Sequence, residues 1–166
     1  MQAISDAGYK AGADGVSIAL DPAASEFRQP DGRYQVAGEL LDSGQMIDRL
    51  AAITRDFPVH LIEDGLGEDD DAGWITLTAR LGDSTELVGD DIFCTNPAII
   101  RRGIAHGIGN AALIKLNQIG TVTETLQAMA WPSAARPGTA SSCLTVPAKP
   151  RTPSSPTWPW VPAAAT

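Results

Sequence analysis

"SGQMIDRLAAITRDFPVHLIED", residues 43–64, carries two hydrophobic patterns back to back. In its first part Met46, Leu50, Ile53 and Phe57 recur at i, i+4, i+7 and i+11, the repeat of a helix with one buried face, and Ser43 stands where an N-cap belongs. In its second part "VHLIED" (59–64) is a short apolar run closed by two acids, which has the length of a buried strand. A helix leading straight into such a strand is half of a parallel βα repeat, because parallel neighbours must be joined by crossovers.

Working outward, the same alternation fills residues 15–130. "VSIALD" (16–21), "ELVGDD" (86–91) and "AALIKLN" (111–117) are further strand-length runs, and "WITLTARL" (74–81), "NPAIIRRGIAHGI" (96–108) and "TVTETLQAMA" (121–130) are further helical periods. Pro97 suits a first helical turn after Asn96, and Thr121 suits a cap. "RQPDGRYQVAG" (28–38) reads as a turn-rich insertion after the first strand. The pattern is four βα units, hence an α/β fold with a parallel sheet and helices packed outside it.

Charge narrows the function. The first 130 residues hold all 20 acids of the chain but only 9 of its 12 Lys and Arg residues. Nucleic acid and anionic membrane surfaces both call for basic patches, so neither is expected as a partner. No apolar run approaches the roughly 20 residues of a membrane span. The opening "MQAISDAGYKAGADG" has no basic start followed by an apolar stretch, so it does not read as a signal peptide. Cys94 and Cys143 form no disulfide framework, and a reducing, cytoplasmic setting is expected.

Asp21, Glu63, Asp90 and Lys115 each stand at or near the C-terminal end of an apolar run. In parallel βα architectures those ends converge on one mouth, where sites are built. Three carboxylates there suit a hard, oxygen-loving cation such as Mg²⁺, and a Lys beside such a cation loses some preference for its ammonium form. Taken singly, Asp21 is as well explained as a turn former and Glu63 with Asp64 as a solvated loop. Lys115 lies inside "ALIKLN", where a buried Lys needs a partner or a task. His60 and His106 have no second ligand at metal spacing and read as structural. Asp69, Asp70 and Asp71 read as a solvated cluster opening a helix.

"IALDPAASEF", "IEDGLGEDD", "LVGDDIFCTNP" and "LIKLNQIGTVTET" closely resemble the enolase family, in the same order and spacing and without a large gap from about Ala3 to Ala130. The resemblance implies a partial (β/α)8 barrel of about four βα units over residues 1–130. It implies reversible dehydration of 2-phosphoglycerate to phosphoenolpyruvate in glycolysis, Mg²⁺ held by Asp21, Glu63 and Asp90, and Lys115 as the base that removes the C2 proton. No further cofactor is implied, and a homo-oligomer is usual. A Lys base beside Mg²⁺ is usual in the superfamily that the sequence resembles. Asp71 departs from the pattern, which usually has Trp there.

Residues 131–166 break every pattern: they hold eight of the twelve prolines, three of the four tryptophans and no acid. A disordered, Pro-rich extension is the plain reading. Reading each codon as the last base of one and the first two of the next makes Leu144–Thr152 and the residues after it compatible with "SHRSGETED" followed by "TFIADLAVG", the family's continuation. Residues 131–166 are therefore expected to be enolase coding sequence read out of frame. Met1 reads as an internal start, since the family's N-terminal domain and its proton-donating Glu lie upstream of the resemblance. Such a truncated chain is expected to be inactive alone and to self-associate. A receiver-type Mg²⁺-binding signalling domain is the other architecture weighed; it places its acidic pair at the first strand, whereas Asp90 and Asp91 follow the third.

Overall fold

Each expected strand forms, and each is shorter than its apolar run. The computed structural model describes residues 1–134 and 142–145. A short helix α1 (Gln2–Asp6) precedes β1 (Ile18–Leu20), after which one 3-10 turn (Ala24–Phe27) leads into the strands β2 (Tyr34–Val36) and β3 (Glu39–Leu41). Then come α2 (Ser43–Asp56), β4 (Val59–Glu63), α3 (Asp71–Leu81), β5 (Glu86–Gly89), α4 (Pro97–His106), β6 (Ala111–Ile114), α5 (Leu116–Ile119), α6 (Val122–Ala134) and β7 (Ser142–Thr145). The sheet runs β1-β4-β5-β6-β7 with every neighbour parallel. Strands β2 and β3 form a separate antiparallel hairpin, which is what the turn-rich insertion becomes. Its two-residue turn, Ala37 and Gly38 at φ 51° and 87°, is left-handed at both positions, as tight hairpins require.

Strand alternation divides the sheet into two faces. Ile62, Leu87, Ala112 and Ile114 pack under the helices with Ile47 and Leu50 of α2, Trp74 and Leu77 of α3, Ile100 of α4 and Ala128 of α6. The residues between them, Leu61, Val88, Ala111 and Leu113, form a smaller apolar cluster on the opposite face. In α2 the buried stripe is Met46, Ile47 and Leu50; Ile53 only borders the core and Phe57 is exposed. Phe57 falls out of the stripe because it precedes Pro58, which disfavours helical backbone before it, and its φ of −134° is extended.

The caps differ from expectation at two helices. The N-cap of α2 is Asp42 and not Ser43: the Asp42 carboxylate accepts from Gln45 N at 2.8 Å while the Gln45 side chain accepts from Asp42 N at 2.9 Å, a reciprocal capping box. Ser43 instead donates its hydroxyl to Asp70. Helix α3 starts three residues before Trp74, because Asp70 caps it by accepting from Gly73 N at 3.0 Å. Asp70 is therefore not solvated; it is buried, with Tyr34 and Ser43 also donating to it. Asn96 and Pro97 open α4, and Thr121 accepts from Glu124 N, both as expected.

Trp131, the expected start of the out-of-frame segment, lies inside α6, and Ser142–Thr145 of that segment pairs with β6. Residues 132–134 close the same helix, against the expected disorder, and 135–141 and 146–166 lie outside the described residues. Among the described residues no helix is long and apolar enough to cross a membrane.

Candidate active site

The smaller apolar cluster points to the site. Leu61, Val88 and Leu113 face one way, and two residues further along each chain come Glu63, Asp90 and Lys115. Ala19, paired with Leu61 in register, leads in the same way to Asp21. A period of two thus carries all four expected residues to one face at the C-terminal end of the sheet.

Asp90 and Lys115 meet directly: the Lys115 ammonium pairs with Asp90 Oδ2. Gln118 of α5 donates Nε2 to the other oxygen, Asp90 Oδ1, at 2.7 Å. Burial pushes the Glu63 carboxyl up to about 7, and the negative charges of Asp21, Asp90 and Asp64 push it the same way, with Lys115 opposing. Burial also opposes charge on Lys115, but the hydrogen bond and charge of Asp90, with Glu63 and Asp91, outweigh it and hold the ammonium above its usual range. Asp21 sits on the same rim, where its carboxylate also accepts from Ala23 N at 3.2 Å, as a turn former would.

Asp64 is a residue that sequence reasoning passed over as solvated loop. It is buried and left-handed at φ 43°. Its two carboxylate oxygens accept from Asp90 N at 2.9 Å and Asp91 N at 3.1 Å, while its own carbonyl accepts from Ala24 N at 3.0 Å. One residue therefore ties together the ends of β1, β4 and β5. Burial raises its carboxyl to about 6, against the lowering effect of those two amides. Among the described residues, the acids that bring one carboxylate oxygen each within 4.8 Å of one another are Asp64, Asp90 and Asp91, and not Asp21, Glu63 and Asp90. Both oxygens of Asp64 are already engaged by main-chain amides, so we read it as a bracket for Asp90. The doubled acid in "IED" was the available signal, but nothing in a sequence says which of two adjacent acids turns inward.

The loop after β5 is shaped by small residues beneath it. Phe93 is seated between Gly89 and Gly103, and a Cβ at either would lie 2.5 Å from its ring. Cys94 and Thr95 follow at φ 44° and 54°. The loop after β4 is tied to the β1–β2 connection: Glu68 N donates to Ser25 Oγ at 3.1 Å, Gly67 N to the Tyr34 hydroxyl at 3.0 Å, and Arg28 pairs with Asp69. His60 and His106 are exposed; His106 contacts its own helix at Arg102 O.

The family model described as enolase, C-terminal TIM barrel domain, matches residues 1–143. The chain belongs to the enolase family. An enolase of Rubrobacter xylanophilus is 50% identical to it over 130 residues, which is 77% of this chain and 30% of that relative. The chain thus spans less than a third of the length of that curated enolase. Its parallel strands and flanking helices are part of the enolase barrel, and the expected fold class stands. All-carboxylate donors gathered at one sheet end, with Glu63 raised to about 7 first by burial and then by its acidic neighbours, suit a divalent, oxygen-seeking cation.

Proposed function

We propose that this chain carries the metal-holding and proton-abstracting part of an enolase-type site for 2-phosphoglycerate and phosphoenolpyruvate. The observation that carries the reading is the pairing of Lys115 with Asp90 at the sheet end that also bears Glu63, in a chain of this family. Asp21, Glu63 and Asp90 would hold Mg²⁺. A bound divalent cation supplies charge stabilisation for the dianion that forms when the C2 proton leaves. Lys115 Nζ is the atom that would take that proton. Burial already disfavours its charge, and the hydrogen bond and charge of Asp90 do most to keep it protonated, so whatever draws on Asp90 Oδ2 frees the amine. The Asp64 bracket holds the main chain of Asp90 and Asp91 in place while that exchange occurs. By the same resemblance, the acid for the departing hydroxide and the groups that grip the phosphate belong to other parts of the family's protein.

Two measurements test this. Mn²⁺ binding to the chain, read from the free-ion electron-spin signal, should weaken about tenfold or more in Asp90→Asn and persist in Lys115→Ala. In a protein completed with the family's remaining sequence, Lys115→Ala should cut C2 hydrogen–deuterium exchange about 10²–10⁴-fold. Exchange at the native rate without Lys115 would remove it as the base, and native Mn²⁺ affinity in Asp90→Asn would remove the metal assignment.

A further inference from the structure

Four residues at the ends of β5 and β6 close a ring of hydrogen bonds. The Lys115 main-chain N donates to Thr95 Oγ1 at 2.9 Å, Thr95 Oγ1 donates to Gln118 Oε1 at 2.7 Å, and Gln118 Nε2 donates to Asp90 Oδ1 at 2.7 Å. Asp90 Oδ2 completes the ring by accepting from Lys115 Nζ. Each direction is forced. An amide N–H can only donate, so the Thr95 hydroxyl accepts from Lys115. The ionised Asp90 carboxylate can only accept, so Gln118 turns its nitrogen to Asp90 and its oxygen to Thr95, which donates its one proton there. The reverse orientation would set an amide oxygen against a carboxylate.

Thr95 is an unusual residue for this place. It is fully buried, and its φ of 54° is a conformation that β-branched residues rarely adopt. A packing role would be filled as well by an apolar side chain, but the Thr95 hydroxyl has two partners and both lead to the site.

We infer that Thr95 and Gln118 are positioning residues that set which oxygen of Asp90 faces Lys115 and hold the two groups in contact. Gln118 occupies Oδ1 with a neutral amide, which leaves Oδ2 as the oxygen that exchanges partners. Thr95 anchors the main chain of Lys115 to the same amide, so base and carboxylate share one frame. What the frame serves rests on the function proposed above; its existence does not.

The test is acylation of lysine amines in the full chain with an N-hydroxysuccinimide ester, followed site by site by mass spectrometry. Lys10 is exposed and serves as the internal reference, whereas Lys115 is shielded by its pairing. Thr95→Val and Gln118→Leu should each raise the Lys115/Lys10 ratio about fivefold, the factor carried by one lost hydrogen bond. Thr95→Ser keeps the hydroxyl and should retain the native ratio. Gln118 is half-buried, so Gln118→Leu provides the measurement if Thr95→Val does not fold. A native ratio in Gln118→Leu, or a rise in Thr95→Ser as large as in Thr95→Val, overturns the inference. Mn²⁺ binding to Asp90→Asn reports separately on the proposed metal role and leaves this outcome unaffected.

Discussion

Tyr34→Phe should destabilise the chain by about 2.5–4 kcal/mol, because it removes one oxygen that serves two buried partners. The Tyr34 hydroxyl donates to Asp70 Oδ2 at 2.8 Å and accepts from Gly67 N at 3.0 Å, and the residue is wholly buried. Asp70 keeps Ser43 and Gly73 N as donors, so the loss there is one hydrogen bond to a charged acceptor, about 1.5–3 kcal/mol. Gly67 N would be left buried without an acceptor, at about 1–3 kcal/mol. The two overlap, since the β4–α3 loop can relax toward water, and we take the lower part of their sum. Urea unfolding at pH 8 measures the difference. The pH dependence has a definite sign. Burial raises the Tyr34 hydroxyl to about 12, and a group raised in the folded state contributes stability that is complete below its ordinary value of 10 and lost as pH climbs through 12. Two units correspond to about 3 kcal/mol, so the advantage of Tyr over Phe should shrink to near zero at the alkaline end. An equal stability of the two proteins at pH 8 would refute the argument, as would a gap that does not narrow above pH 10.

Asp64→Asn, measured in chelator so that no metal intervenes, should stabilise the chain at pH 8 relative to pH 4. The native carboxyl is raised to about 6, so the stability it contributes below about 4 is lost as pH rises through 6, and an amide cannot lose it; equal effects at both pH values would contradict the assigned burial cost. The 166-residue polypeptide by itself should give no measurable dehydration of 2-phosphoglycerate, and turnover above a buffer blank that disappears in Lys115→Ala would show that it needs no further residues. The chain should also self-associate, because β1 has no strand on its outer side among the described residues, and a single monomeric species by sedimentation would count against this.

The βα order was legible in the sequence because it rests on local periodicity. Apolar runs too short for a helix, set between helical repeats, read as buried strands, and Asn96, Pro97 and Thr121 mark helix starts through groups only one to three residues away. The candidate residues could be picked out for a similar reason: Glu63, Asp90 and Lys115 each follow an inward apolar residue by two, and alternation does the rest. Tertiary structure alone decided the partners. Whether Asp42 or Ser43 caps α2 depends on Asp70, 27 residues beyond Ser43, drawing the serine hydroxyl away. Asp64 could be separated from Glu63 only by the fold, which turns one toward the amides of Asp90 and Asp91 and leaves the other at the mouth. The ring through Thr95 and Gln118 joins groups 20 to 28 residues apart that no spacing rule connects. Periodicity fixes the face on which a side chain lies, whereas hydrogen-bond partners and charge environments are set by which chain segments fold against that face.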